Sequence, residues 1–111
     1  MSRKIYISGS ITNNPNYRED FSNAEMKILD KFIESEWEYG EIINPAKLSC
    51  VLPSDFTYDE YMAMDLFLLT KCKAIYMLKG YEESPGAIAE LIVAKQLGLE
   101  IFYESEEQNN E

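Results

Sequence analysis

The sequence contains no histidine in 111 residues. Histidine is the commonest general base and the commonest transition-metal ligand in proteins. Its absence rules out Ser-His-Asp and Cys-His catalytic sites and all histidine-based zinc sites. Any catalysis by this chain must therefore use carboxylates, hydroxyls, amides or lysine.

Cysteine and long apolar runs are also scarce. The only two cysteines, Cys50 and Cys72, form no C-x-x-C pair, and we interpret them as two buried free thiols in a reducing compartment. The apolar runs are too short to span a bilayer, and the N-terminus enters a strand-like run with no signal-peptide core. These features predict a cytoplasmic protein with no membrane partner.

Positive charge is the third scarcity. The chain has 10 lysines and arginines against 20 aspartates and glutamates, a formal net charge of −10. The average surface would repel a polyanion, so we expect no nucleic-acid partner.

What is present indicates a single globular domain. Of the 111 residues, 46% are hydrophobic, enough for one buried core and too few for two. We predict one domain over residues 1–104, followed by an acidic, disordered tail over residues 105–111.

Strand and helix patterns alternate along the chain. Strand-like runs cover residues 4–8, 41–45, 74–78 and 100–103; helical patterns cover residues 17–37 and 57–72, and a third helix has Ser84 as its cap and ends at Gly98. Residues 46–56 read as a loop. This order predicts an α/β fold, a flavodoxin- or Rossmann-like three-layer sandwich with four to five parallel strands and helices on both faces.

Ligands of such sheets bind at the carboxyl ends of the strands. The predicted strand and helix ends bring six candidate binding residues to that edge: Gly9, Ser10, Ile11, Asn44, Ser84 and Gly86. The Ser84-Pro85-Gly86 helix start offers a hydroxyl, free N–H groups and the positive pole of the helix dipole. Each of these segments also reads as a plain turn or helix start.

Glu90 lies inside an otherwise apolar run, residues 87–94. At about 100° per residue, its nearest polar helix neighbours, Lys95 and Gln96, are roughly 140° and 120° away around the axis. One interpretation is a carboxylate that reaches water at the edge of the helix. The other is a carboxylate held beside a cleft for chemistry.

Asp65 gives the same signal in a second helix. It is displaced by roughly 120° to 140° from the polar positions of that helix and has apolar neighbours. A buried acid is costly without a partner or a task. It either caps neighbouring backbone or serves a site with Glu90.

Three groups of residues together resemble one known family. They are Tyr6-Ile7-Ser8-Gly9-Ser10-Ile11, Asp65 followed by Leu-x-Leu-Leu and a strand, and Ser84-x-Gly86-x-x-x-Glu90. Their order and spacing are similar to the nucleoside 2-deoxyribosyltransferase superfamily, over the chain up to about Tyr103. The runs Ile43-Asn44-Pro45-Ala46 and Tyr61 to Leu66 are similar to a small, mostly phage and bacterial branch of it.

The resemblance implies a role for each matching residue. Glu90 matches the glutamate that attacks the anomeric carbon, Tyr6 the tyrosine that orients it, and Asp65 an aspartate near the base and sugar, a candidate proton donor to the leaving base. Ser84 stands where the transferases acting on free nucleosides have an aspartate that binds the sugar hydroxyl, and where related hydrolases of nucleoside 5′-monophosphates have a phosphate-binding serine. Ser10 matches a second phosphate-binding serine of those hydrolases. Thr12 stands where those hydrolases have a phosphate-binding arginine, which weakens the indication of a phosphate.

These features lead to a functional hypothesis and a rival. The hypothesis is an enzyme that cleaves or transfers the N-glycosidic bond of a nucleoside or nucleoside 5′-monophosphate, with Glu90 as nucleophile and no metal or organic cofactor. The rival is a nucleotide-sequestering module with the same fold and no turnover. The resemblance also implies a homo-oligomer, since relatives complete the pocket with a neighbouring subunit.

Overall fold

Four parallel strands and four α-helices make up the computed structural model, which describes residues 3–32 and 40–105, with one helix after the first strand, two after the second and one after the third. The strands are β1 (Lys4–Ser8), β2 (Glu41–Ile43), β3 (Ala74–Met77) and β4 (Glu100–Tyr103). The helices are α1 (Tyr17–Phe32), α2 (Pro45–Leu48), α3 (Tyr58–Leu69) and α4 (Pro85–Leu97), and a single 3₁₀ turn spans Tyr81–Glu83. The strand order is β2-β1-β3-β4, with all neighbours parallel, which confirms the predicted α/β sheet.

The helices cover both faces of this sheet. From β1 the chain moves outward to β2, whereas from β3 it moves the opposite way to β4, so right-handed crossovers put α1 and α4 on opposite faces. One buried cluster joins Phe21, Ala24 and Ile28 of α1 to the sheet, and the other joins Leu69 of α3 and Leu91 of α4 to it. The predicted three-layer sandwich is confirmed.

The helix ends that frame the site follow ordinary capping chemistry. At α3, the Thr57 side chain accepts from the Glu60 N–H while the Glu60 side chain accepts from the Thr57 N–H. At α4, Ser84 is the N-cap, Pro85 is the first residue and Gly98 ends the helix at φ 74°. These caps fix where α3 and α4 begin relative to the strand ends.

The predicted loop over residues 46–56 is wrong at its start, because Pro45–Leu48 forms the short helix α2. Pro45 stops β2 and also opens this helix, since its missing N–H has no partner in a first turn. The Asn44 side chain caps the helix by accepting from the Ala46 N–H at 3.0 Å. Within the described residues the first helix ends at Phe32; residues 33–37 of the prediction, and residues 106–111 of the predicted tail, lie outside them.

Both cysteines are free, but only Cys72 is buried. The prediction of a buried Cys50 is wrong, because Cys50 lies in the loop after α2 and faces solvent. Across the described ranges, no helix combines the length and the apolar character that a membrane crossing requires.

Candidate functional site

A pocket of about 720 Å³ opens at the carboxyl edge of the sheet. Three parts of the chain line it: the segment that follows β1, the segment from Pro45 through the middle of α3, and residues 83–87 with Glu90 at the start of α4. Its position at the strand ends agrees with the general rule for parallel α/β sheets.

Glu90 lies at the floor of this pocket with only 5% of its surface exposed. The Tyr6 hydroxyl donates to Oε2 at 2.7 Å, and the Ser8 hydroxyl donates to Oε1 at 2.6 Å. Tyr6 and Ser8 are two apart on β1, so they point to the same face of the sheet, toward α4. The interpretation of Glu90 as a water-facing carboxylate at the helix edge is therefore wrong.

Burial raises the pKa of Glu90 from its ordinary value of 4.5 to about 7. The hydrogen bonds from Ser8 and Tyr6 oppose this shift because they stabilise the charged carboxylate, and the charge of Asp65 adds to it. Glu90 therefore gains or loses its proton close to neutral pH, which suits a group that takes part in acid, base or nucleophilic chemistry.

Asp65 also lines the pocket and is 7% exposed. Its Oδ1 is buried and has no hydrogen-bond partner among the described residues. Burial raises the pKa of Asp65 to about 6, and the neighbouring Tyr6 hydroxyl opposes the rise. Because that hydroxyl has one hydrogen and gives it to Glu90, Asp65 is left with a buried acceptor that has no donor among the described residues.

Tyr6 is fully buried between these two acids. Burial and the charges of Glu90 and Asp65 raise the pKa of Tyr6 well above its usual value. The phenol therefore stays protonated and acts as a hydrogen-bond donor that holds the Glu90 carboxylate in one orientation.

The start of α4 forms one wall of the pocket. The Ala87 N–H donates to the Ser84 Oγ at 3.2 Å, and the Ile88 N–H donates to the Ser84 carbonyl at 3.0 Å. Gly86 keeps this wall thin, since a Cβ there would lie 3.2 Å from the Tyr58 hydroxyl. Ser84 and Gly86 thus line the pocket, as predicted from the helix start.

The end of β1 supplies the opposite wall. Gly9 and Ile11 line the pocket, as expected for residues at a strand end. A Cβ at Gly9 would lie 2.7 Å from Leu78 Cδ1 and 2.9 Å from Leu78 Cβ. Only glycine therefore fits at the end of β1, where the chain passes close to Leu78 at the end of β3.

Two of the predicted binding residues lie outside this pocket. Ser10 lines a separate polar pocket of about 310 Å³ that also contains Lys27, Lys79 and Glu104. Asn44 is buried, and besides capping α2 it donates to Glu25 Oε1 at 3.0 Å. Both side chains are therefore separated from Glu90.

Sequence reasoning did not single out Ser8 or Glu104. The available signal for Ser8 was its position two residues after Tyr6, which puts both hydroxyls on one face of a buried strand. Glu104 accepts from the Lys27 ammonium and from the Lys79 backbone N–H, both at 2.8 Å, and no local pattern marks such contacts. The described residues contain no group of three or more acids and cysteines arranged to hold a metal ion.

The combination of groups is suited to substitution at an electrophilic carbon. It offers one carboxylate fixed by two hydroxyls, a second acid with a free acceptor, and a concave space next to both. Comparison with known proteins adds less than this geometry. No curated protein and no solved structure matches the chain.

One family model does match, over residues 3–103. That span runs from the start of β1 to the end of β4 and so includes every element that builds the pocket. On this match, the chain belongs to the family described as a domain of unknown function, DUF4406.

Proposed function

We propose that this protein is an enzyme that cleaves the N-glycosidic bond of a nucleoside or nucleotide and passes the sugar to water or to a second base. The observation that carries the proposal is Glu90, buried at the floor of a pocket with both carboxylate oxygens held by hydroxyl donors. The resemblance to nucleoside 2-deoxyribosyltransferases, which assigns the nucleophile to this glutamate, supports it.

The reaction begins with attack of a Glu90 carboxylate oxygen on the anomeric carbon. The bond from that carbon to the base nitrogen breaks, and its electron pair leaves with the base. Positive charge that develops on the sugar is stabilised by the ionised carboxylate, which then closes to a glycosyl ester. Attack by water or a second base at the same carbon releases the product and restores Glu90.

Tyr6 and Ser8 position the nucleophile in this scheme. Their two hydrogen bonds fix the plane of the carboxylate and stabilise its charged form inside a buried site. Asp65 is the second acid: its raised pKa gives it a protonated fraction near neutrality, and its side chain lines the pocket. For a neutral base, it is the candidate that gives a proton to the leaving nitrogen.

Two further proposals concern assembly and location. The first, which the resemblance implies, is a homo-oligomer in which a neighbouring subunit completes the pocket. The exposed apolar side chains Phe67, Ile88 and Ile92 on α3 and α4, outside the pocket lining, offer a surface for its interface. The second is a cytoplasmic location, which agrees with a chain that has few cysteines, both of them free.

Incubation with a panel of nucleosides and 5′-monophosphates, with and without acceptor bases, tests the activity. We expect release of free base by the wild type and at least a ~10³-fold loss in Glu90→Gln, which keeps the size of the side chain but removes the nucleophile. Mass spectrometry of quenched enzyme should show a sugar adduct on the peptide that contains Glu90.

Glu82→Gln is the matched control, because Glu82 is an exposed acid of the adjoining 3₁₀ turn. It should keep full activity. Absence of base release at high enzyme concentration contradicts the proposal. Binding of an intact nucleotide that survives Glu90→Ala, with no product, would indicate the sequestering module instead.

A further inference from the structure

The charged side chains that line the pocket are all acidic. Three ionisable carboxylates line it, those of Asp65, Glu83 and Glu90, and no lysine or arginine does. All ten lysines and arginines of the chain fall in residues 3–32 and 40–105, which the structure describes. The chain therefore brings no cationic side chain of its own to this pocket.

Arg18 at the rim, Lys47 and Lys79 all lie outside the lining of the pocket, and the first two have partners of their own. Arg18 is exposed and lies outside the lining, with its guanidinium 5.5 Å from the centre of the Tyr17 ring and its Nε donating to the Tyr17 hydroxyl. Lys47 pairs with Glu25 at 2.9 Å. Lys79 belongs to the second pocket.

The start of α4 does little to offset this negative charge. Pro85 has no N–H, the Ala87 N–H is taken by the Ser84 side chain, and the Ile88 N–H is taken by the Ser84 carbonyl. The Gly86 N–H and the Ser84 hydroxyl remain, with the Glu83 carboxylate beside them. A phosphate dianion here would meet neutral donors, among them the Tyr58 hydroxyl beside Gly86, together with a carboxylate and no cation, a poor site by the standards of phosphate-binding loops.

Asp65 is an independent sign that a ligand is required. Asp65 as a whole residue is 7% exposed, and its Oδ1 is buried with no partner among the described residues. Leaving such a buried acceptor unpaired is unfavourable, and more so when the group is charged. A positive charge in the pocket that Asp65 lines stabilises this carboxylate without having to touch Oδ1.

Aromatic rings form part of the lining of the pocket. Phe56, Tyr58 and Tyr61 line the pocket on the side of α3, and Tyr17 lines it from α1. The negative faces of such rings attract organic cations, and the contact between Arg18 and Tyr17 is an example at the rim. Rings and carboxylates together are the combination that recognises a flat, positively charged ring.

We propose that the preferred substrate is a nucleoside whose base carries a positive charge, of the N-alkylpyridinium or N7-alkylpurinium class, with no 5′-phosphate. This inference rests on the proposed N-glycosidic activity and names its substrate class. The observations that support it are the three carboxylates and the lack of a lysine or arginine in the lining of the pocket, its aromatic wall and the unpaired oxygen of Asp65.

The chemistry balances without an acid catalyst. Glu90 forms a bond to the anomeric carbon, the carbon–nitrogen bond breaks, and its electron pair neutralises the ring nitrogen, so the base leaves uncharged. Water then attacks the ester, the sugar keeps the hydroxyl, Glu90 regains its negative charge and one proton goes to solvent. Asp65 acts here by charge rather than by donating a proton.

The direct test compares two ligands of nearly equal shape that differ in charge. Nicotinamide riboside carries a pyridinium ring, and its 1,4-dihydro form has the same sugar and a neutral ring. The titration uses calorimetry and the Glu90→Gln variant, in which turnover is blocked. The pyridinium form should bind at least about tenfold more tightly than the 1,4-dihydro form. Nicotinamide mononucleotide, the 5′-phosphate, should bind more weakly than the riboside.

Asp65→Asn in the Glu90→Gln background should lower the affinity ratio of the two forms, and the rings and Glu83 that remain should keep it above one. Glu82→Gln in the same background is the control and should leave the ratio unchanged. A melting curve of each variant verifies that it is folded before titration. A second pair, 7-methylguanosine against guanosine, should show the same order.

The outcomes separate this inference from the proposed function. Equal or tighter binding of the neutral forms, or tightest binding of the 5′-phosphate, overturns the inference even if the wild type cleaves neutral nucleosides. Preference for the cationic forms with no base released by the wild type overturns the enzymatic proposal and leaves the ligand class standing.

Discussion

Glu90 occupies an unusual position for a carboxylate, because burial and the proposed function favour opposite protonation states. It is 5% exposed, and burial favours its neutral form, whereas attack on carbon requires its charged form. Two hydroxyl donors bring the two states close enough in energy that both are accessible near neutral pH.

This conflict predicts a pH dependence of stability. In the unfolded chain Glu90 ionises near its ordinary pKa of 4.5, whereas in the folded protein it keeps its proton up to about 7. The folded state therefore holds more protons between those values, and the stabilisation present below pH 4.5 is lost as pH rises through 7. The wild type should lose about 1 kcal/mol of unfolding free energy between pH 6 and 8.

Urea denaturation at pH 6 and pH 8 measures this effect. The window begins at the pKa of Asp65, about 6, and is centred on that of Glu90, so Glu90 contributes most of the change and Asp65 the smaller part. Glu90→Gln should flatten the dependence, while Glu82→Gln should keep it. A wild type whose stability is constant or rises over this range would show that Glu90 is ionised in the fold.

Ser8 gives a second prediction at the scale of the residue. Ser8→Ala removes the donor to Glu90 Oε1, so the pKa of Glu90 should rise further. The acidic limb of the kcat/KM profile should move up by about one pH unit, with about a tenfold loss of activity below it. Ser8→Thr, which keeps the hydroxyl, should restore the profile.

Ser10→Ala is the matched control for Ser8, since Ser10 lines the second pocket and is two residues away along the chain. Its pH profile should equal that of the wild type. If both variants shift the profile alike, a general disturbance of the strand end explains the effect and the hydrogen bond does not.

At the scale of the element, the site depends on where β1 and β3 leave the sheet. Gly9 and Leu78 lie side by side at this point, and the Leu78 N–H donates to the Ser8 carbonyl at 2.8 Å. This contact sets the distance between the strand that holds Tyr6 and Ser8 and the chain that continues to α4.

Gly9→Ala should destabilise the protein by about 1–3 kcal/mol, because the added methyl overlaps both Cβ and Cδ1 of Leu78. Thermal or urea unfolding measures it. The Gly9→Ala/Leu78→Ala double variant should cost less than the sum of the single variants, since it removes Cγ and Cδ1 of Leu78 from the contact and leaves only Cβ at 2.9 Å. Additive losses would show that strain in the backbone, and not this contact, sets the cost.

At the scale of the whole molecule, the unexplained feature is apolar surface on the outer side of α4. Ile88 and Ile92 are 37% and 55% exposed, and they lie one turn apart on the same face. A homo-oligomer that buries this face accounts for it.

Sedimentation velocity at micromolar concentration should therefore give a mass above the 12.8 kDa of one chain. Ile92→Lys should shift the protein toward the monomer, because the charge would have to be buried in the interface. Leu29→Lys on α1 is the control, being 54% exposed on the opposite layer. A monomeric wild type contradicts the oligomer.

The sequence by itself determined the elements and the two misplaced acids. Alternation of strand and helix patterns, with Pro85 and Gly98 at the ends of α4, is a local property, and the parallel sheet follows from it through short right-handed connections. Glu90 and Asp65 were recognisable because helix geometry separates them from the solvent-facing polar residues.

The tertiary structure alone decided which side chains meet. Ser8 reaches Glu90 across 82 positions of sequence, Glu104 reaches Lys27 across 77, and Ser10 turns away into a second pocket. Such contacts depend on strand register and on the rotation of each helix about its axis, and neither is encoded within a short window. The tertiary structure also decided that no lysine or arginine lines the pocket. The ten lysines and arginines are scattered along the sequence, and only the fold determines where each side chain lies.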